Sequence, residues 1–135
     1  MALVNQSVLE SALAKSETSL RFQAGETLFR EGETPTGVHI VHTGSVHLLF
    51  AARNGQAKPL RIAHPGQILG LSCLVTQRPY DCTATARTAC EVGFIEREEF
   101  LRVLQESPAV WFSVLRFLSS EVTAVYDDIR ALAAR

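Results

Sequence analysis

Residues 66–92, GQILGLSCLVTQRPYDCTATARTACEV, contain the side chains whose types and spacing suit ligand chemistry. Backbone N–H groups at the start of a short helix can hold an anion, and a preceding glycine lets the anion come close. The backbone of Leu71–Cys73, together with the hydroxyls of Ser72 and Thr83, is therefore a candidate anion site. A buried anion also needs a counter-charge, but Arg78 stands where we expect it to point to solvent. The segment predicts the shape of a phosphate-binding corner without its cation.

The cysteines raise redox and haem chemistry as alternatives. Three cysteines without a CxxC pair argue against a disulfide framework and are typical of a reducing cytosol. Their number excludes a four-cysteine iron–sulfur cluster within one chain. Cys73 and Cys82 flank the corner, so two hypotheses stay open. One is a redox pair formed by these two thiols, and the other is a haem held by Cys73 or by a histidine. Cys90 is expected to be a small, buried apolar side chain.

The histidines are expected to face solvent or to lie in turns. His39 and His47 stand between apolar neighbours in β-type runs. Because successive side chains of a strand point to opposite faces, apolar neighbours that face inward leave these two imidazoles facing outward. His42 falls within a predicted turn. We therefore expect no metal site.

The bulk composition favours a single, non-catalytic domain. The 135 residues carry 13 Lys and Arg against 14 Asp and Glu, a net charge of −1, without a basic stripe for DNA. No signal peptide and no apolar run of about 20 residues occurs, so we expect a soluble cytoplasmic protein without membrane contacts. GxSxG, P-loop and HExxH motifs are absent. Glu98 and Glu99 open a predicted helix, where acidic residues favour the helix dipole, so we expect no enzymatic activity.

Residues 18–95 are predicted to form a β domain with helices on either side. Short β-type runs are separated by glycine-containing turns, a pattern typical of a small barrel or sandwich. The sequences HTGS and ARNG are each predicted to close a hairpin. Residues 1–17 have the apolar spacing of a short helix, and residues 96–107 form another, which ends at Ser107–Pro108. A long helix then follows over residues 108–135.

The long helix carries an unbroken heptad pattern. Its apolar residues are spaced alternately by four and three positions over three heptads. This stripe is narrower than a helix on its own domain core usually needs, so a parallel homodimer is favoured over burial against the domain. Val110, Val114 and Phe117 form a second stripe, which is predicted to pack on the β domain. The predicted dimer interface comprises Trp111, Leu115, Leu118, Val122, Val125, Ile129 and Leu132.

Two segments and the long helix together resemble a known family. The segments are FQAGETLFREGETPTGVHIVHTGSVHLLF at 22–50 and TARTACEVGFIEREEFLRVLQESP at 85–108. From about residue 18 the chain resembles the cyclic-nucleotide-binding domain, and in particular the sensor half of the Crp–Fnr (catabolite activator) transcription regulators. The resemblance implies a mainly β fold with flanking helices. This fold is a double-stranded β-helix, or jelly-roll-like β-roll, followed by a long C-terminal dimerisation helix.

The resemblance also implies where a ligand would bind, and the sequence departs from the family there. In the family a Gly-Glu pair and, eight or nine residues later, an Arg-Ser/Thr-Ala run hold the ribose and the cyclic phosphate. Here Gly70 is followed by Leu71, and the Arg-Ser positions fall on Tyr80–Asp81 or on Asp81–Cys82, depending on the register. Neither register supplies an arginine. A cyclic nucleotide is therefore not expected as a cofactor.

The leading hypothesis is a homodimeric regulatory sensor domain that detects an unknown small-molecule effector and relays the signal to the dimer helix. Three alternatives stay open: a cyclic-nucleotide module with an atypical phosphate site, a haem or thiol redox sensor, and a filled pocket with a purely structural role. DNA is expected as a partner only if a helix-turn-helix domain lies outside this chain. The family's adenine-contacting pair falls on Val125 and Tyr126. The ligand-pocket candidates are Gly70, Leu71, Ser72, Cys73, Tyr80, Asp81, Cys82, Thr83 and Tyr126.

Overall fold

The computed structural model describes residues 13–134, apart from the side chain of Val125. These residues divide into two compact units. One unit is 16–100, and the other combines the described residues on either side of it, 13–15 and 101–134.

Residues 16–100 contain eight strands in two antiparallel four-stranded sheets, which we call the β-roll. The strand order is β1-β8-β3-β6 in the first sheet and β2-β7-β4-β5 in the second. The strands are β1 (Thr18–Phe22), β2 (Thr27–Phe29), β3 (Gly37–Thr43), β4 (Val46–Ala51), β5 (Ala57–Ala63), β6 (Ile68–Leu69), β7 (Thr83–Ala86) and β8 (Cys90–Glu96).

Most of the helix predicted for residues 1–17 lies outside the described part of the chain. Within the described part, Leu13 is fully buried and a 3-10 turn, Ala14–Ser16, precedes the first strand. The prediction of an N-terminal helix over the whole segment therefore stays a prediction.

The interior of the β-roll is apolar and joins the two sheets. Val41 and Val92 come from the first sheet and Leu48 and Ala84 from the second, and each is at most 8% exposed. Side chains at alternate positions of β7 are buried, as the pleat of a strand with one inward face requires. The roll core consists of Phe29, Val41, Val46, Leu48, Ala63, Leu69, Cys73, Tyr80, Cys82, Ala84, Ala86, Cys90 and Val92.

Of the two predicted hairpins, one is present and one is wrong. The ARNG turn joins β4 to β5, which pair antiparallel. The HTGS turn does not close a hairpin, because β3 pairs with β6 and β8 while β4 pairs with β5 and β7. Instead, Gly44 carries the chain from one sheet to the other. Its φ is +80°, and a Cβ there would lie 2.3 Å from the Ala89 carbonyl oxygen, so the crossing needs glycine.

The helices begin and end where local signals place them. They are α1 (Leu71–Thr76), α2 (Arg97–Glu106) and α3 (Pro108–Ala133). Glu98 and Glu99 lie in the first turn of α2, as predicted. Ser107 caps α3, since its hydroxyl accepts a hydrogen bond from the Val110 N–H at 3.4 Å, and Pro108 occupies the first turn.

Helix α3 presents a long exposed apolar stripe. Val110 and Val114 are buried and Phe117 is half-buried, whereas the seam side chains that the structure describes are largely exposed. Exposed fractions along the seam are 55% for Trp111, 54% for Val122 and 55% for Ile129.

The predicted fold class is confirmed: mainly β, with flanking helices and a long C-terminal helix. Among the described residues, no helix has both the length and the apolar character that crossing a membrane requires.

Candidate functional site

The predicted corner forms around Gly70, but an aromatic ring covers it. Gly70 has φ +82° and precedes α1, and its carbonyl accepts the Leu74 N–H at 3.0 Å. A Cβ at this position would lie 2.9 Å from Cε1 of Tyr80. The Tyr80 ring therefore lies directly against the glycine, on the side where a small residue leaves space.

Tyr80 is held on its ring and on its backbone. Its ring stacks on Phe29 with centroids 3.9 Å apart and planes 14° apart. Its N–H donates to the Glu33 carbonyl at 2.9 Å, and its own carbonyl accepts the Gly32 N–H at 2.8 Å. Burial, followed by the charges of Cys73 and Glu33, raises the pKa of Tyr80 to about 12, so the phenol stays neutral near pH 7. Tyr80 is a neutral, fixed part of the roll core.

The two cysteines of the corner are buried beside a carboxylate. Cys73 and Cys82 are each 8% exposed, and neither forms a disulfide. Burial, with the neighbouring Asp81 carboxylate, raises the pKa of Cys82 to about 12, and burial is also the largest cause of the raised pKa of Cys73. Both thiols are therefore protonated near neutral pH. A protonated, buried thiol is a weak nucleophile and a weak metal ligand.

The polar members of the predicted anion site do not point inward. Ser72 is exposed, and the half-buried Thr83 hydroxyl accepts the Glu31 N–H at 2.9 Å. The alternation of β7 places Ala84 and Ala86, rather than Thr83, on the buried face.

The remaining pocket candidates divide between the core and the surface. Leu71 is buried, Asp81 is exposed, and Arg78 is exposed as expected. Tyr126 lies on α3 with 62% of its surface exposed. The structure thus brings Leu71, Cys73, Tyr80 and Cys82 into the interior, while the other members of the predicted set lie outside the roll core or only at its edge.

The expectation that His39 faces solvent is wrong. His39 is 6% exposed and lies between two aromatic rings, with centroids 5.5 Å from Phe29 and 4.9 Å from Phe94. The reason is that β3 is buried on both faces from Gly37 to Val41, so alternation with apolar neighbours does not imply exposure. The unbroken run GVHIV was the sequence signal for such a strand.

The His39 imidazole is neutral and incompletely hydrogen-bonded. Burial lowers its pKa from 6.5 to about 4. Its Nδ1 is buried and has no hydrogen-bond partner among the described residues. Unlike His39, His47 on β4 is only half-buried. His42 is exposed at the end of β3, where its Nε2 lies 2.9 Å from the Glu17 carboxylate.

A pocket of about 340 Å³ opens beside His39 and Tyr80. Its lining is largely aromatic and aliphatic, and its polar groups come from His39, Tyr80 and exposed residues of the loop between β2 and β3. Concave sites with apolar walls and a few polar groups are typical of small-molecule binding. The lining residues are Leu20, Leu28, Phe29, Glu33, Thr34, Thr36, His39, Tyr80 and Phe94.

Buried lysine and arginine side chains and metal-binding clusters are both absent from residues 13–134. The buried polar side chains there are those of His39, Ser45 and Ser113, and none is a lysine or arginine. No cluster of three His, Cys, Asp or Glu side chains in this range could hold a metal ion. The interior of the roll is therefore neutral.

The family model described as "Cyclic nucleotide-binding domain" matches residues 19–107. The chain belongs to this family. The match spans β1 to the end of α2 and so includes the whole corner.

Curated relatives of the chain include transcription regulators. The HTH-type transcriptional regulator Cmr of Mycobacterium tuberculosis is 34% identical over 110 residues, which cover 82% of this chain and 43% of that protein. The transcriptional activator protein FnrA of Stutzerimonas stutzeri is 33% identical over 101 residues, which cover 73% of this chain and 40% of that protein. The chain therefore spans less than half the length of these relatives.

Solved structures share the fold at lower identity. The catabolite activator protein of Thermus thermophilus matches 96% of this chain and 59% of its own with a TM-score of 0.80 and 19% identity. The sensor domain of the transcriptional regulator DNR from Pseudomonas aeruginosa matches 93% of each chain with a TM-score of 0.72 and 21% identity. Together with the family match, these comparisons confirm a Crp–Fnr-type, cyclic-nucleotide-binding-like domain.

Proposed function

We propose that this domain is a regulatory sensor that responds to an effector other than a cyclic nucleotide and relays the signal through a dimer of α3. The observation that carries the proposal is the Tyr80 ring, which lies against Gly70 in a neutral roll core. Relatives named as transcription regulators support the regulatory role. DNA contact would then belong to a helix-turn-helix domain outside residues 1–135, and the cytoplasm is the expected location.

Electrostatics argues against a cyclic phosphate in this corner. A cyclic nucleotide carries a monoanion, and a buried anion without a partner charge costs about 3–5 kcal/mol, or two to four decades in affinity. Asp81 beside the corner would add repulsion. The ring of Tyr80 would also have to leave its stack on Phe29 before a ligand could approach Gly70.

We expect no saturable binding of cyclic AMP or cyclic GMP by isothermal titration calorimetry at millimolar ligand. The matched control is a Tyr80→Ala variant, which removes the ring but adds no positive charge. This variant should still bind neither nucleotide, because the missing counter-charge, and not the ring alone, prevents binding. A micromolar dissociation constant for the unaltered protein would contradict the proposal and favour the atypical phosphate site.

The exposed stripe of α3 supports dimerisation. A contiguous apolar stripe of this length is rare on the surface of a monomer. Its strict heptad spacing is that of a two-stranded coiled coil. We therefore propose that a second copy of the chain covers the stripe, and that an effector acts by changing the relative position of the two helices.

Val122→Glu should convert a dimer to a monomer. Val122 lies in the middle of the seam and is 54% exposed in the single chain. A dimer of this variant would bury two unpaired carboxylates there. We therefore expect the dimer dissociation constant to rise by more than about 100-fold. Sedimentation equilibrium at micromolar protein measures the change. Ala124→Glu is the matched control, since Ala124 is exposed and lies outside the seam, and it should remain dimeric. A monomeric unaltered protein would refute the dimer.

A filled roll with a purely structural role is the second candidate. It is favoured by the close contact between Tyr80 and both Phe29 and Gly70. Under this reading the domain serves only to dimerise, and no small molecule should shift its unfolding temperature. Under the leading proposal, at least one class of neutral ligand should stabilise it.

A further inference from the structure

The pocket beside His39 has the features of a binding site that the cyclic-nucleotide corner lacks. It is separate from the anion corner but shares one wall with it, the Tyr80 ring. Three of its lining residues, Phe29, Tyr80 and Phe94, are aromatic. At about 340 Å³, it lies near the lower limit of sizes found for ligand pockets, about 300–1,000 Å³. A compact, planar molecule suits these dimensions and walls.

His39 supplies the specific polar feature. Its side chain is more than nine-tenths buried, and its Nδ1 has no hydrogen-bond partner among the described residues. Buried polar atoms are nearly always paired, so the unpaired Nδ1 of a residue that lines the pocket suggests that a ligand supplies the partner. A hydroxyl suits either tautomer of the imidazole, because it can both donate and accept.

The charges around the pocket select against anions. Its only formally charged lining residue is Glu33, which is exposed and whose carboxylate accepts the Arg30 N–H at 2.8 Å. An anionic ligand would be repelled by Glu33 and would find no lysine or arginine in the lining.

We propose that the His39 pocket binds a small, neutral, planar aromatic molecule with a hydroxyl group that hydrogen-bonds to the imidazole. This inference rests on the proposed sensor function and names the chemical class of its effector. Tyr80 connects the pocket to α1, because it lines the pocket and its ring lies close to both Phe29 and Gly70, which precedes α1.

Phenol and toluene form the matched pair of probes for this site. They have the same ring and nearly the same size, but only phenol can hydrogen-bond. In titrations of 15N-labelled protein, we expect saturable shifts of the His39 ring nitrogens with phenol, and binding at least about tenfold tighter than that of toluene. Benzoate, which adds a negative charge, should not bind. Equal affinity for phenol and toluene, or no phenol binding at millimolar concentration, would overturn the proposal.

Variants then locate the interaction. His39→Leu should abolish the preference for phenol over toluene, whereas His64→Leu, which alters an exposed histidine outside the pocket, should keep it. The comparison of probes on the unaltered protein does not depend on whether His39→Leu folds. Failure of this test leaves the nucleotide titration and the dimer measurement unaffected, so the ligand class and the sensor function are refuted by different results.

Discussion

Tyr80→Ala should lower the free energy of unfolding by about 3–5 kcal/mol, the range found when a large buried aromatic ring is truncated. Tyr80 is 6% exposed, and its ring stacks on Phe29 at 3.9 Å. Removal of the ring leaves a cavity between Phe29 and Gly70 that these residues can fill only in part. Because the Tyr80 backbone bonds to Gly32 and Glu33 persist, the loss should reflect the side chain rather than the loop.

Two further substitutions control this prediction. Tyr126→Ala truncates the chain's other tyrosine, which is 62% exposed, and it should change the free energy of unfolding by no more than about 0.5 kcal/mol. Tyr80→Phe keeps the ring and should retain most of the stability. Urea unfolding followed by circular dichroism measures all three variants at one protein concentration. Similar losses for Tyr80→Ala and Tyr126→Ala would show that the ring over Gly70 is not part of the core.

The second large effect is a loss of stability on acidification, caused by His39. Its pKa is about 4 in the folded protein against 6.5 in the unfolded chain. Between these values the unfolded state binds more protons, so stability is full above pH 6.5 and falls as the pH is lowered toward 4. At about 1.4 kcal/mol per pH unit, the shift corresponds to a contribution of about 3 kcal/mol.

His39→Leu isolates this contribution from the carboxylates that titrate in the same range. Glu33 lines the same pocket and Tyr80 forms its wall, and both remain in the variant. The stability of the unaltered protein should therefore fall more steeply between pH 6.5 and 4 than that of the variant. At pH 7 the variant should be more stable by about 1–3 kcal/mol, since it removes an unpaired buried nitrogen. Parallel pH curves, with His64→Leu as the reference, would mean that His39 is not buried.

Features with local causes were predictable from the sequence. The start of α3 follows from the Ser107 cap and Pro108, and the start of α2 from the acidic pair Glu98–Glu99. Each depends on residues within one turn of the helix, and so does the turn at ARNG. The heptad spacing of α3 also follows from order along the chain alone. The pairing of that stripe with a second chain remains a prediction.

The candidate site was predictable in composition but not in arrangement. The absence of an arginine from residues 79–86 is a matter of sequence, and so is the glycine at position 70. That Tyr80 lies against Gly70, while the Thr83 hydroxyl turns to Glu31, depends on which face of β7 meets the roll core. Neither register of the family motif contained that information.

By itself, the sequence determined the mainly β fold class, the starts of α2 and α3, the apolar seam and the lack of a cation in residues 79–86, because each depends on residue types or on short-range spacing. Only the tertiary structure decided that HTGS crosses between sheets and that His39 is buried without a partner for Nδ1. The physical reason is the same in both cases. Strand pairing and the covering of a second face come from residues distant in sequence, so a local alternation cannot reveal them.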